Sequence, residues 1–172
     1  MLPQATAYAT CGLAFSGKSS AARKVAAELG IGLISLDAIN HERGLRGGEG
    51  IPVAEWERTS LIAMERLRAA LLAGRSAVVD DTFSRRFLRD RCKAVADACG
   101  SRFLILYMDT PIEVIEARRA ANDCNPTRHR VRDEVFAAHR DGFEHPTHEE
   151  PVVRIGGEAD LARWIASVQR SD

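Results

Sequence analysis

The stretch Cys11-Gly12-Leu13-Ala14-Phe15-Ser16-Gly17-Lys18-Ser19-Ser20 constrains this chain more than any other. Gly12 and Gly17 bracket a short loop that leads into Lys18 and Ser19, the spacing G-x-x-x-x-G-K-[ST]. Glycines let the backbone curl so that successive N–H groups point at one anion. An apolar run over 7–11 precedes the loop and a helical pattern over 18–29 follows it, so the loop joins a strand to a helix whose positive dipole end faces the same anion. Gly30 ends that helix, since glycine takes the left-handed cap without strain. The anion expected is the β,γ end of a nucleoside triphosphate, held by Gly12, Phe15, Ser16, Gly17, Lys18, Ser19 and Ser20. Lys18 reaches the β and γ phosphates, and the Ser19 hydroxyl is placed to bind Mg²⁺. Lysine occurs elsewhere only at Lys24 and Lys93, so Lys18 does not come from a lysine-rich background.

The rest of the chain alternates short β-rich runs with longer helical patterns. Strands are expected over 32–36, 77–79, 103–108 and 152–155, in addition to 7–11. Helices are expected over 53–73, 85–99, 131–142 and 159–169, with Pro52 in a first helical turn and Leu61, Met64, Leu67 and Leu71 on the apolar face. Thr110-Pro111-Ile112-Glu113 has the grammar of another helix start. Residues 40–51, with four glycines, read as a mobile loop, and the polar stretch 122–130 as a departure from the core. Five strands separated by helices predict one α/β domain over 1–172 with a mainly parallel sheet, whose sites lie at the carboxyl ends of the strands.

Two carboxylate positions fall at those ends. Asp37 follows the second strand, where it can take the proton of a hydroxyl attacking the γ-phosphate or serve as a cap or turn aspartate. Asp80 and Asp81 follow Val78-Val79. Strand alternation aims only one of them at the ligand; Asp81, nearer the loop, is the favoured Mg²⁺ partner, Asp80 the alternative, and Thr82 a supporting residue. Arg118, Arg119, Arg128, Arg130 and Arg132 form a cluster able to stabilise charge on a migrating phosphoryl group, on a segment over 118–132 suited to a lid.

Lys plus Arg and Asp plus Glu both number 24, so the formal charge is zero, which argues against a whole-surface nucleic-acid binder. Few aromatics are present, and Trp56 is expected to pack a helix. Cys11, Cys92, Cys99 and Cys124 lack metal-site spacing and read as reduced and buried. His145 and His148 are poorly placed to share a metal and suit an acceptor pocket or a loop, while His41, His129 and His139 read as surface residues. No signal peptide or membrane-span pattern is apparent, so a cytoplasmic protein is the default expectation.

With these residues in view, the chain resembles the small P-loop kinases of the polynucleotide-kinase, zeta-toxin and chloramphenicol-phosphotransferase type. The likeness rests on GLAFSGKSS, Asp37 after the second strand, DDTFSRRFLRDR after the third and the arginines after the fourth. It implies a three-layer P-loop kinase-like fold, ATP and Mg²⁺ as cofactors, Lys18 and Ser19 as phosphate and Mg²⁺ ligands, and Asp37 as base. It also implies Arg118 or Arg119 at the start of a lid. One departure is visible: where such kinases often carry a second lid arginine, this chain has Asn122, so either Arg128 or Arg130 supplies that charge or transition-state stabilisation is weaker than in such kinases. The expected activity is transfer of the γ-phosphoryl group to a hydroxyl of a small molecule or a nucleic-acid end. Competing expectations are a nucleotide-binding regulatory switch, and a toxin-like kinase held off by a partner.

Overall fold

The computed structural model describes residues 4–45, 50–127 and 129–170. Parts of the expected 40–51 loop and Arg128 lie outside them. In chain order the elements are β1 (Thr6–Cys11), α1 (Lys18–Leu29), β2 (Gly32–Ser35), α2 (Leu36–Glu42), α3 (Val53–Leu72) and β3 (Ala77–Asp80). They continue with α4 (Arg86–Ala98), β4 (Arg102–Met108), α5 (Ile112–Cys124), α6 (Asp133–Asp141), β5 (Val152–Ile155) and α7 (Glu158–Gln169). The strands form one sheet of order β2-β3-β1-β4-β5, and every pairing is parallel.

Strand alternation divides the core into two sides. Ala7, Ala9, Val79, Ile105 and Tyr107 bury against Ala63, Leu67 and Leu71 of α3 and Cys92 and Ala96 of α4. The intervening Tyr8, Val78, Leu106 and Met108 bury against Ala21, Ala22 and Val25 of α1 and Leu161 and Ile165 of α7. Helices on both faces explain why the strands read as continuous apolar runs. A third, smaller cluster joins Phe15 of the glycine loop to Ile115 of α5 and Phe136 of α6. That contact places the arginine-bearing helices beside the loop.

Several expectations need correction. Residues 36–42 form a helix, because Ser35 accepts a bond from the Ala38 amide and caps it, and Leu36 and Ile39 enter the core. Asp37 therefore sits in a first helical turn, where its charge suits the dipole. Pro52 stands at the cap of α3, and Leu61 is exposed; Thr59 and Ala63 occupy the buried face with Met64, Leu67 and Leu71. Helix α5 continues to Cys124, so Asn122 is helical and buried instead of outside the core. The Thr110 hydroxyl does not cap α5 but donates to the Ser16 carbonyl at 2.9 Å. Cys124 is exposed, whereas Cys11 and Cys92 are buried, with burial pushing both thiols up to about 12. Trp56 packs against the main core as expected.

An ion pair fastens the segment after α6 to α4, beside the exit of β3. Arg89 and Glu150, with side chains 1% and 5% exposed, meet through two bonds of 2.7 and 3.1 Å. The same guanidinium donates to the carbonyls of Phe83 at 2.8 Å and Glu144 at 2.9 Å. Burial alone would raise the Glu150 carboxyl, but Arg89 and the Thr147 amide outweigh it and hold it below the ordinary range. A depressed acid contributes stability that is present above its unfolded value, so the pair's contribution is lost as pH falls below about 4. Arg89→Ala leaves Glu150 buried and unpaired and is expected to cost about 3–5 kcal/mol in urea unfolding at pH 7. Arg89→Met with Glu150→Leu together should recover most of that loss; a single substitution as harmless as a surface change would contradict this account.

Candidate active site

The glycine loop follows β1 directly, and its shape depends on backbone conformations closed to most residues. Gly12 has φ 151° and Gly17 φ 96°, while Phe15 adopts φ 66° despite its side chain. A Cβ on Gly12 would come within 2.7 Å of Ser16 Oγ and 3.1 Å of the Met108 carbonyl, so neither space nor torsion admits a side chain there. Donors outside and inside the loop fix its peptide planes. Gly12 N–H donates to the Thr82 carbonyl at 3.2 Å, and Ser16 N–H to the Leu13 carbonyl at 3.1 Å. Arg118 Nη1 donates to the Phe15 carbonyl at 3.0 Å, and Lys18 Nζ to the Leu13 carbonyl at 2.8 Å. With these carbonyls engaged, the loop is set up to present N–H groups to an anion. Ser16 Oγ, beside Gly12, is fully enclosed and has no hydrogen-bond partner among the described residues.

The end of β3 supplies the carboxylates. Asp80 is the last strand residue and shares the α1 side with Val78. Ser19 Oγ donates to Asp80 Oδ1 at 3.2 Å. Thr10 Oγ1 lies 3.4 Å from the same oxygen and 3.1 Å from the Asp81 carbonyl, tying β1 to this corner. It is Asp80, the alternative of the two, that takes the Ser19 bond, while the Asp81 carboxyl takes a bond from the Thr82 amide. Burial raises both carboxyls, and for Asp80 it outweighs the lowering by the Ser19 bond and Lys18, while Asp37 adds to the rise.

The loop from Phe15 to Ser20 lines one cleft of about 1690 Å³ together with Asp37, Arg118 and Arg130. The two neighbouring arginines part company. Arg118 reaches the loop, whereas Arg119 pairs with Asp133 at 2.6 Å and stacks over the Phe136 ring at 4.1 Å, joining α5 to α6 away from the cleft. Arg130 pairs with Asp123 at 3.3 Å and Arg132 with Glu134 at 3.3 Å, both largely exposed. Asn122 lines the cleft and its Oδ1 accepts from the Thr127 amide at 3.1 Å. His41 and His129, read as surface residues, also line the cleft. His139 is half-buried, edge-on to Phe143, and its imidazole is lowered by burial and by Lys18 and Arg85. His145 Nδ1 lies 2.7 Å from the Tyr107 hydroxyl, which gives that histidine a fixed partner.

The profile of a family described as an AAA domain matches residues 8–146, and the chain belongs to that family. No curated protein matches the sequence. Among solved structures, a sugar kinase from Janibacter sp. is 18% identical with a TM-score of 0.69, covering 97% of this chain and 95% of its own. A putative kinase from Chloroflexus aurantiacus is 15% identical with a TM-score of 0.74, at 97% and 98% coverage. An APS kinase from Mycobacterium tuberculosis, in complex with AMPPNP and APS, is 20% identical with a TM-score of 0.65, at 98% and 97% coverage. The fold is that of a P-loop kinase-like α/β protein. Among the described residues no helix is long and apolar enough to cross a membrane.

The raised Asp80 carboxyl has a consequence for stability. An acid whose native value is raised weakens the folded state as pH climbs past its unfolded value, because the native form then binds more protons. Asp80→Asn keeps an oxygen for Ser19 and removes the buried charge. It is expected to raise the melting temperature of the ligand-free protein by a few degrees at pH 7, with the gain shrinking as pH is lowered into the ordinary carboxylate range. A lower melting temperature at pH 7 would contradict the assignment of desolvation as the dominant cause.

Proposed function

We propose that this protein is an ATP- and Mg²⁺-dependent phosphotransferase that moves the γ-phosphoryl group to a hydroxyl of a small molecule. The observation that carries the reading is that Asp37, from the edge of the sheet, lines the same cleft as the glycine loop. A nucleotide-binding switch needs the loop, but it does not need a carboxylate facing the phosphate from the acceptor side. The kinases among the structural relatives support the same reading.

Each group then has a task. The loop amides, Ser16 Oγ and Lys18 bind the β and γ phosphates. Arg118, braced on Phe15, places a guanidinium beside the loop, and Arg130 is the cleft-lining lid arginine that stands in for the position held by Asn122. Arg119 positions α6 instead of touching phosphate. The donor set also fits Mg²⁺: Ser19 Oγ and Asp80 Oδ1 are hard oxygens 3.2 Å apart, close to the separation of about 3 Å between adjacent ligands of an octahedral Mg²⁺. Bound there, Mg²⁺ would neutralise phosphate charge. Asp37 accepts the acceptor's hydroxyl proton as its oxygen attacks the γ-phosphorus and the bond to the β,γ-bridging oxygen breaks, so that ADP leaves.

Asp37→Asn is expected to lower kcat by about 10²–10⁴-fold while leaving MgATP affinity unchanged. Calorimetry and single-turnover kinetics read the two quantities separately. Unchanged turnover in this variant would overturn the role of Asp37. Lys18→Ala, by contrast, should weaken MgATP binding itself.

A further inference from the structure

A buried polar side chain close to Asp37 has no task in holding the phosphates or Mg²⁺. Asn40 follows Asp37 by three residues on α2, which puts the two on one helical face, and both line the cleft. Asn40 is 3% exposed, yet its Nδ2 has no hydrogen-bond partner among the described residues. Buried amide donors are almost always paired, so an unpaired one at a ligand cleft marks a place where a ligand supplies the acceptor.

The orientation of this amide is determined by its neighbours. Arg43 Nη1 donates to Thr59 Oγ1 at 2.7 Å and to the Glu55 carbonyl at 2.8 Å. The other guanidinium nitrogen, Nη2, pairs with the Glu55 carboxylate. Arginine only donates, so the Thr59 hydroxyl must accept from it and is left to donate onward. Its partner, at 2.5 Å, is Asn40 Oδ1. The chain therefore runs in one direction, from Arg43 through Thr59 to Asn40, and leaves the Nδ2 amino group as its free end. Thr59 is fully buried, which keeps solvent from breaking the sequence. A glutamine or a reversed amide would not end in the same donor.

We propose that Asn40 Nδ2 donates to a second oxygen of the acceptor, next to the hydroxyl that Asp37 deprotonates, and so selects a polyhydroxylated substrate such as a sugar or polyol. This inference rests on the phosphotransferase reading. Asp37 accepts from one hydroxyl while Asn40, one turn along, donates to the next; a vicinal diol offers that pair of oxygens. A simple alcohol would leave the amide unpaired, and loss of an expected hydrogen-bond partner in a buried site is what makes such sites selective.

The test uses glycerol, ribitol, D-ribose and D-glucose as acceptors, each beside its monodeoxy analogues, with a monohydric alcohol and a 5′-hydroxyl oligonucleotide as further arms. ADP formation is followed for the wild type, Asn40→Leu and Asn40→Asp. Asn40→Asp keeps the oxygen that Thr59 needs, so it guards against a folding defect, and MgATP affinity by calorimetry is the common control. For the preferred polyol, removing the neighbouring hydroxyl is expected to lower kcat/KM of the wild type on the order of 10²-fold. Both variants should lose a similar factor on the full polyol and nothing more on the deoxy analogue, with MgATP affinity unchanged. A deoxy penalty that persists in Asn40→Leu would overturn the role of Asn40. Transfer to the monohydric alcohol or the oligonucleotide in preference to every polyol would overturn the substrate class while leaving phosphotransfer intact. No acceptor-dependent ADP formation in any arm would overturn the phosphotransferase reading and this inference with it.

Discussion

The junction of Thr10, Ser19 and Asp80 is the constraint on which the site depends. β3 lies directly beside β1, with Ala9 opposite Val79, so the next residues along the two strands are Thr10 and Asp80. The Thr10 hydroxyl bridges those strand ends, and Ser19, in the first turn of α1, reaches the same carboxylate. The loop between β1 and α1 is thereby held at both its beginning and its end. Gly12 N–H bonded to the Thr82 carbonyl closes the same corner from the other side. A sheet in which β3 did not neighbour β1 would lose this anchorage of the loop.

Around this corner the structure surrounds buried acids with few permanent counter-charges. Asp80 and Asp81 are raised mainly by burial, and Lys18 offsets only part of that. Neutrality of the whole chain conceals this local imbalance. The arginines that could have balanced it are mostly committed elsewhere: Arg89 to Glu150, Arg43 to Glu55 and Arg119 to Asp133. A corner of oxygen donors beside an anion-binding loop suits a nucleotide that arrives with a divalent cation.

Much of this was legible in the sequence. The helix of residues 18–29, the cap at Gly30 and the strand of residues 152–155 are local matters of periodicity and glycine chemistry, and they fall where the pattern puts them. Helix α2 was hidden because it is only seven residues long and runs into a glycine-rich stretch; Ser35 two positions before Asp37 was the available cap signal. The choice between Asp80 and Asp81 turns on which face of the sheet α1 covers. Strand parity alone cannot supply that, although Val78 and Asp80 must share whichever face it is. Arg118 and Arg119 differ by about 100° around a helix, so only the packing of Phe136 decides which one reaches the loop. The pairing of Arg89 with Glu150 joins residues 61 positions apart and has no local trace.

The most direct measurement follows the γ-phosphate itself. The protein is incubated with Mg²⁺ and γ-labelled ATP in the presence of pooled sugars, polyols and other hydroxyl compounds, and the label is separated into organic ester and inorganic phosphate. The expected result is label in an organic ester with one pool, with ADP formed in step. Label released only as inorganic phosphate, at the same slow rate in every pool, would contradict phosphoryl transfer to a hydroxyl.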